Sequence, residues 1–121
     1  VTRQNLYYLA SPYTHSHASI REGRASYAAM IGASLKRLGL HIFAPIPHGH
    51  ALAEFGLPLD FNWWNNYSYN VLSRCDGLIV AMINGWDESK GVAAEIKYAE
   101  EHGIPVVYLS REQIWEFDDQ V

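Results

Sequence analysis

Residues Gly77–Leu109 read GLIVAMINGWDESKGVAAEIKYAEEHGIPVVYL, and this stretch decides the fold. It opens on an unbroken apolar run, Gly77 to Met82, of the kind that forms a strand covered on both faces. Asn84 to Glu88 reads as a loop. Ser89 to His102 has helical spacing, with Val92, Ile96 and Ala99 on one stripe, and Gly103 closes it. A second apolar run, Val106 to Leu109, follows Pro105. Strand, helix and strand in this order predict a parallel pair joined by a right-handed crossover.

The same alternation continues towards the amino terminus. Leu6 to Ala10 (LYYLA) is a short buried strand ending at Ser11-Pro12. Ala18 to Leu38 is a helix with Ile20, Arg24, Tyr27, Ile31, Leu35 and Leu38 at spacings of three and four, and Gly39 stops it. His41 to Ala44 is a strand cut off by Pro45 and Pro47. A long loop is expected from Pro45 to about Asp60, then a helix from Phe61 to Arg74 with Trp64, Ser68, Val71 and Leu72 on one side. The tail from Arg111 to Val121 adds a helical turn or two. The expectation is one α/β domain over residues 1–121, a parallel sheet of four to five strands with helices on both faces. Ligands of such sheets sit beyond the carboxyl ends of the strands, here the segments Ser11–His17, Pro45–Asp60 and Asn84–Gly91.

Composition narrows the function. The 121 residues suit one domain, and 49% hydrophobic with 18% charged residues is ordinary for a globular chain. Nine Lys and Arg against thirteen Asp and Glu, net charge −4 with no basic run, argue against binding a nucleic-acid polymer. No apolar run approaches the ~20 residues of a membrane span. The opening lacks a signal-peptide pattern, which predicts a cytoplasmic protein. Cys75 is the only cysteine, which excludes an internal disulfide and a cysteine-built zinc site. A small molecule is the expected partner. Four Trp and eight Tyr exceed what one small core needs, and oligomer contacts or a pocket for a flat ligand would use the rest.

Three polar positions break the local pattern. Glu95 lies on the apolar stripe of its helix, three after Val92 and four before Ala99. A carboxylate facing the sheet is costly unless paired or useful, and desolvation would raise its pKa as acid–base or nucleophilic work often requires. The alternative is an edge residue that reaches water or pairs with an arginine. Arg24 sits between Ile20 and Tyr27, close enough to the first strand's carboxyl end to bind a phosphate or carboxylate; a salt bridge to Glu95 or Asp76 is the competing reading. Ser89-Lys90-Gly91 opens the last long helix, as a plain cap or as an anion site. Asp76 reads as a turn residue. His48 and His50 offer no third metal ligand nearby, so no metal is expected, and His48 is instead a substrate-contacting loop residue. Trp63 is the freer of the tryptophan pair, with Trp64 on the buried stripe.

Together these residues resemble a known superfamily. Tyr8-Leu9-Ala10-Ser11-Pro12-Tyr13 resembles the opening of nucleoside 2-deoxyribosyltransferase-like proteins. Gly85-Trp86 followed by Ser89-x-Gly91-Val92-x-x-Glu95 is similar to the same superfamily, as is Cys75-Asp76-Gly77-Leu78-Ile79-Val80. The resemblance covers nearly the whole chain. It implies a Rossmann-like or flavodoxin-like fold, no cofactor, and cleavage of the N-glycosidic bond of a nucleoside or nucleotide. It implies that the glutamate matching Glu95 attacks the anomeric carbon, giving a glycosyl–enzyme intermediate that passes to another base or to water. The resembling transferases carry an aspartate at the position of Ser89, whereas the nucleoside-monophosphate hydrolases carry Ser-x-Gly there for the 5′-phosphate. Neutral donors at a helix start favour a phosphate. Two departures stand out: Ser68 occupies the place of an aspartate, and Thr14 that of an arginine, with Arg21, Arg24 and Asp60 as candidate substitutes.

The leading reading is hydrolysis of a (deoxy)nucleoside 5′-monophosphate. Glu95 is its nucleophile, Ser89 and Gly91 hold the phosphate, and Tyr8 and Ser11 line sugar or phosphate. Pro12, Tyr13, Arg24, His48, Ser68, Gly85 and Trp86 complete the expected substrate contacts. Base exchange between deoxynucleosides, a silent nucleotide-binding domain, and a metal phosphohydrolase using His48, His50 and Asp60 are the alternatives. A homodimer or larger homo-oligomer is expected, with Trp63, Trp64, Tyr67 and Tyr69 as its interface.

Overall fold

The computed structural model describes residues 4–119 in backbone and residues 4–116 in side chain. Four parallel strands form one sheet: β1 (Leu6–Ala10), β2 (His41–Phe43), β3 (Gly77–Ala81) and β4 (Val106–Leu109), in the order β2-β1-β3-β4. The helices are α1 (Ala18–Arg37), α2 (Pro45–Ala53), α3 (Phe61–Leu72), α4 (Lys90–Glu101) and α5 (Arg111–Asp119), with a short 3-10 turn at Trp86–Glu88. This is an α/β fold of the Rossmann-like, flavodoxin-like kind, with four strands. The last two residues of the expected tail lie outside the described residues.

The apolar runs become strands because both faces of the sheet are covered. Side chains alternate along each strand, so β1 sends Leu9 to one face and Tyr8 and Ala10 to the other. Leu9 joins Ile79, Ile31, Leu35 and Ile114 in a core beneath α1 and α5. Tyr8 and Ala10 join Leu78, Val80, Val92 and Ala99 beneath α3 and α4. The register sets Tyr8 opposite Leu78 and Ala10 opposite Val80, placing the ends of β1 and β3 side by side. From β1 the chain turns outward to β2, then crosses back to β3 on the other side. The strand order therefore reverses between β1 and β3, where a crevice must open.

Two expectations change. Pro45–Asp60 is not all loop, because α2 occupies Pro45–Ala53. Pro45 and Pro47 lie in its first turn, where a helix has no use for the missing N–H, so the residues read as a strand stop also start a helix. Ile20 of α1 and Leu38 at its C-cap are exposed, and the buried face of the helix includes Ala25, Ala28, Ile31, Gly32 and Leu35. Small residues let α1 lie close to the sheet: a β-carbon at Gly32 would touch Leu9 at 3.9 Å and Ala44 at 3.7 Å.

Candidate functional site

A cavity of about 620 Å3 opens at the carboxyl ends of β1 and β3. Tyr8 from β1, Ser68 from α3 and Glu95 from α4 line it, as do Ser11 and Tyr13 just past β1. Gly85 and Ser89, between β3 and α4, Gly91 in the first turn of α4, and Arg24 from α1 complete the expected residues that meet there.

Glu95 is 8% exposed and Tyr8 is fully buried. The Tyr8 hydroxyl donates to Oε2 of Glu95. Burial raises the Glu95 carboxyl to about 7, against the pull of the phenol hydrogen bond, which favours the ionised form. Burial and the neighbouring carboxylate hold the Tyr8 phenol well above its ordinary value, so it remains a donor. A hydrogen bond with the Ser68 side chain acts on the same phenol in the opposite sense. The partner of Glu95 is thus a phenol rather than an arginine. The arrangement supplies a carboxylate that is neither bulk-solvated nor neutralised by a cation.

Arg24 donates from Nη1 to the Thr14 carbonyl, 2.8 Å away. Its guanidinium lies against Gly85, which has φ +91°; a β-carbon there would come within 2.4 Å of Nη2. The backbone conformation favours glycine, and a β-carbon would push the guanidinium aside. The α4 start faces the cavity, with Ser89 as its N-cap: the Ser89 hydroxyl accepts from Val92 N at 3.2 Å. Lys90 lines the cavity beside it. Ser11 Oγ is buried with no hydrogen-bond partner among the described residues, an unusual state for a hydroxyl unless a ligand or water satisfies it.

Three expected residues stand apart from the cavity. Pro12 is fully buried beneath it. His48 Nε2 pairs with the Tyr67 hydroxyl at 3.2 Å, and its ring stacks on Tyr67 and meets Phe43 at a tilt. Trp86 packs on the second core and meets Tyr108 edge-on. Asp76 accepts from Leu6 N at 2.7 Å, tying the entry of β3 to that of β1. Trp64 is half-buried, and its indole N–H donates to the Pro58 carbonyl.

The cavity also takes in residues outside the expected substrate contacts. His50, not His48, faces the cavity, and its Nδ1 lies 2.8 Å from the Tyr13 hydroxyl. Asp60 and Glu88 also line the cavity, Asp60 while capping α3 through Trp63 N. A helical reading of Pro45–Ala53 would have found His50, since Ile46, Gly49, His50 and Ala53 share one helical face. Among the described residues no three His, Cys, Asp or Glu side chains cluster as a metal site requires. No helix among them is long and apolar enough to cross a membrane.

The fold is shared with two solved structures. It matches the 2-deoxyribosyltransferase of the psychrotolerant bacterium Bacillus psychrosaccharolyticus with a TM-score of 0.57 and 21% identity, over 87% of this chain and 72% of that one. It also matches a conserved protein from Enterococcus faecalis V583, with a TM-score of 0.53 and 19% identity, over 88% of this chain and 63% of that one. At these identities the likeness is one of fold. No curated protein matches the chain. Residues 5–111 match the model of the domain of unknown function DUF1937, and the chain belongs to that family.

Proposed function

We propose that this chain is an N-glycosidase that hydrolyses the base–sugar bond of a (deoxy)nucleoside 5′-monophosphate, with Glu95 as nucleophile. The buried Tyr8–Glu95 pair, set in the cavity beside the α4 start, carries the reading. An Oε atom of Glu95 attacks the anomeric carbon as the C1′–N bond breaks, and its electron pair leaves on the base, which takes up a proton. Water then attacks the same carbon and releases Glu95 and the sugar phosphate. Two displacements at one carbon retain its configuration.

The phosphate end of the substrate lies at the α4 start. Backbone N–H groups there carry the positive end of the helix dipole, and Ser89 and Gly91 present no carboxylate to repel an anion. Lys90 and Arg24 add cationic charge to the cavity lining, with Arg24 in the role left open by Thr14. The unpartnered Ser11 hydroxyl is available to a ligand oxygen. The likeness to a 2-deoxyribosyltransferase supports glycosyl transfer chemistry and keeps base exchange as the second reading, with Ser89 in place of a carboxylate against it. Exposed Phe55, Leu52, Leu59 and Trp63 around α2 and α3 support a homo-oligomer, which light scattering at micromolar concentration would test.

A mass-spectrometric screen separates these readings. The protein and its Glu95→Gln variant are incubated with all ribo- and deoxynucleosides and their 5′-monophosphates, half of them with a free acceptor base. Free base and sugar phosphate, made by the wild type alone, support the hydrolase. A swapped base on a nucleoside supports the transferase. Absence of turnover in every mixture overturns both and leaves a binding domain.

A further inference from the structure

Cleavage of an N-glycosidic bond needs a proton for the departing base, and the Tyr8–Glu95 pair cannot supply it. Tyr8 is fully buried and already donates to the nucleophile. Ser68 is engaged with the same phenol and is in any case a weak acid. The donor must come from another wall of the cavity, beside the base. Two walls differ in chemistry. The α4 start, Lys90 and Arg24 make the polar end. Trp64 and Tyr67 of α3 and Ile46 of α2 supply flat, apolar lining that suits a nucleobase. His50 lines the cavity from α2, directly after Gly49, whose β-carbon would touch the Trp64 ring at 3.7 Å; α2 packs on α1 and β1, whereas Glu95 stands on α4, which packs on α3 and β3. His50 is also oriented: Nδ1 lies 2.8 Å from the Tyr13 hydroxyl, with the rings edge-on at 5.6 Å, so Nε2 is the nitrogen left for a ligand.

Resting on the glycosidase reading above, we propose that His50 is the proton donor to the leaving base and that Tyr13 is the residue that positions it. In the charged ring, Nδ1–H donates to the Tyr13 oxygen and Nε2–H faces the base. As the C1′–N bond breaks, its electron pair goes to the base nitrogen and the Nε2 proton follows it, leaving a neutral imidazole. In the second displacement Nε2 takes a proton from the attacking water, which restores the starting ring. Arg21 of α1 reaches Tyr13, and Asp60 and Glu88 line the same cavity.

Two substrates with different leaving groups test this. One is the nucleoside 5′-monophosphate turned over in the screen; the other is 4-nitrophenyl 2-deoxyribofuranoside 5-phosphate, whose nitrophenolate departs without a proton. His50→Gln is expected to lose on the order of 100-fold or more in kcat/KM on the nucleotide and at most several-fold on the nitrophenyl compound. Added imidazole is expected to restore part of the nucleotide activity of His50→Ala. Tyr13→Phe should show the same selectivity with a loss of roughly tenfold, and it serves if the His50 variants fail to fold. Equal losses on both substrates, or a loss under about threefold on the nucleotide, overturn the assignment while leaving Glu95 as nucleophile. Turnover of neither substrate by the wild type overturns the glycosidase reading itself, and the assignment falls with it.

Discussion

The Tyr8 hydroxyl donates to Oε2 of Glu95, joining the central strand β1 to helix α4 across 87 positions of sequence. The bond favours the ionised carboxylate while burial favours the neutral acid, and burial is the larger effect. Removing the phenol oxygen in Tyr8→Phe therefore raises the Glu95 pKa further above about 7. A hydrogen bond to a charged group contributes ~1.5–3 kcal/mol, or roughly one to two pKa units. If ionised Glu95 is the attacking form, the acidic limb of the kcat/KM profile moves to higher pH by about that much. An unmoved limb would show that Glu95 is not the titrating nucleophile.

Glu95 also makes stability depend on pH. Its folded-state value of about 7 lies above the ordinary 4.5, so the folded chain holds this proton more tightly than the unfolded chain. The contribution is fully present below pH 4.5, declines as pH rises towards 7, and is lost above it. The shift corresponds to about 3 kcal/mol. Glu95→Gln keeps an acceptor for Tyr8 and removes the titration. Urea melts at pH 4.5 and pH 8 should show the variant gaining on the wild type by up to about 3 kcal/mol at the higher pH, while losing catalysis. A gap independent of pH counts against the buried titration.

Ser89 both caps α4 and faces the cavity, and two substitutions separate those roles. Ser89→Ala removes the acceptor for Val92 N, at a cost of about 1 kcal/mol. Ser89→Asp keeps a capping oxygen, and its charge suits the helix dipole, so stability is held. In binding, the aspartate should weaken a nucleoside 5′-monophosphate by tenfold or more, on the order of a like-charge repulsion of ~1.4 kcal/mol, and weaken the unphosphorylated nucleoside far less. Calorimetric titration of each ligand reads the difference. Equal effects on the two would place the phosphate elsewhere.

Gly85→Ala should damage the cavity through Arg24. The new β-carbon would meet Nη2 at 2.4 Å, on a residue whose φ of +91° already disfavours a side chain. Backbone strain of this kind costs ~1–3 kcal/mol. The displaced guanidinium would leave the Thr14 carbonyl, lowering both the midpoint of thermal unfolding and phosphate affinity. Binding unchanged despite lower stability would remove Arg24 from the phosphate site.

The sheet and most helices were legible in the sequence because apolar runs and helical periods are local signals of burial. Gly77–Ala81 has no polar residue to offer solvent, so it can only be a covered strand. Glu95 was legible for the opposite reason: it interrupts a stripe whose period fixes where it points. Helix α2 was hidden because Pro45 and Pro47 serve equally well as breakers and as first-turn residues, and only packing on α1 and β1 chooses between them. The same ambiguity hid His50.

By itself, then, the sequence determined which segments must be buried, where the strand order leaves ligand-binding loops, and which carboxylate breaks its helix pattern. The tertiary structure decided that Tyr8 is the partner of Glu95, that Arg24 lies over Gly85 and bonds the Thr14 carbonyl, and that Tyr13 holds His50 across 37 positions. The physical reason is one of range. Burial and helical period act over a few residues and leave a pattern in the chain. A hydrogen bond between side chains from different elements depends on strand register and helix rotation, which form only when the whole core packs.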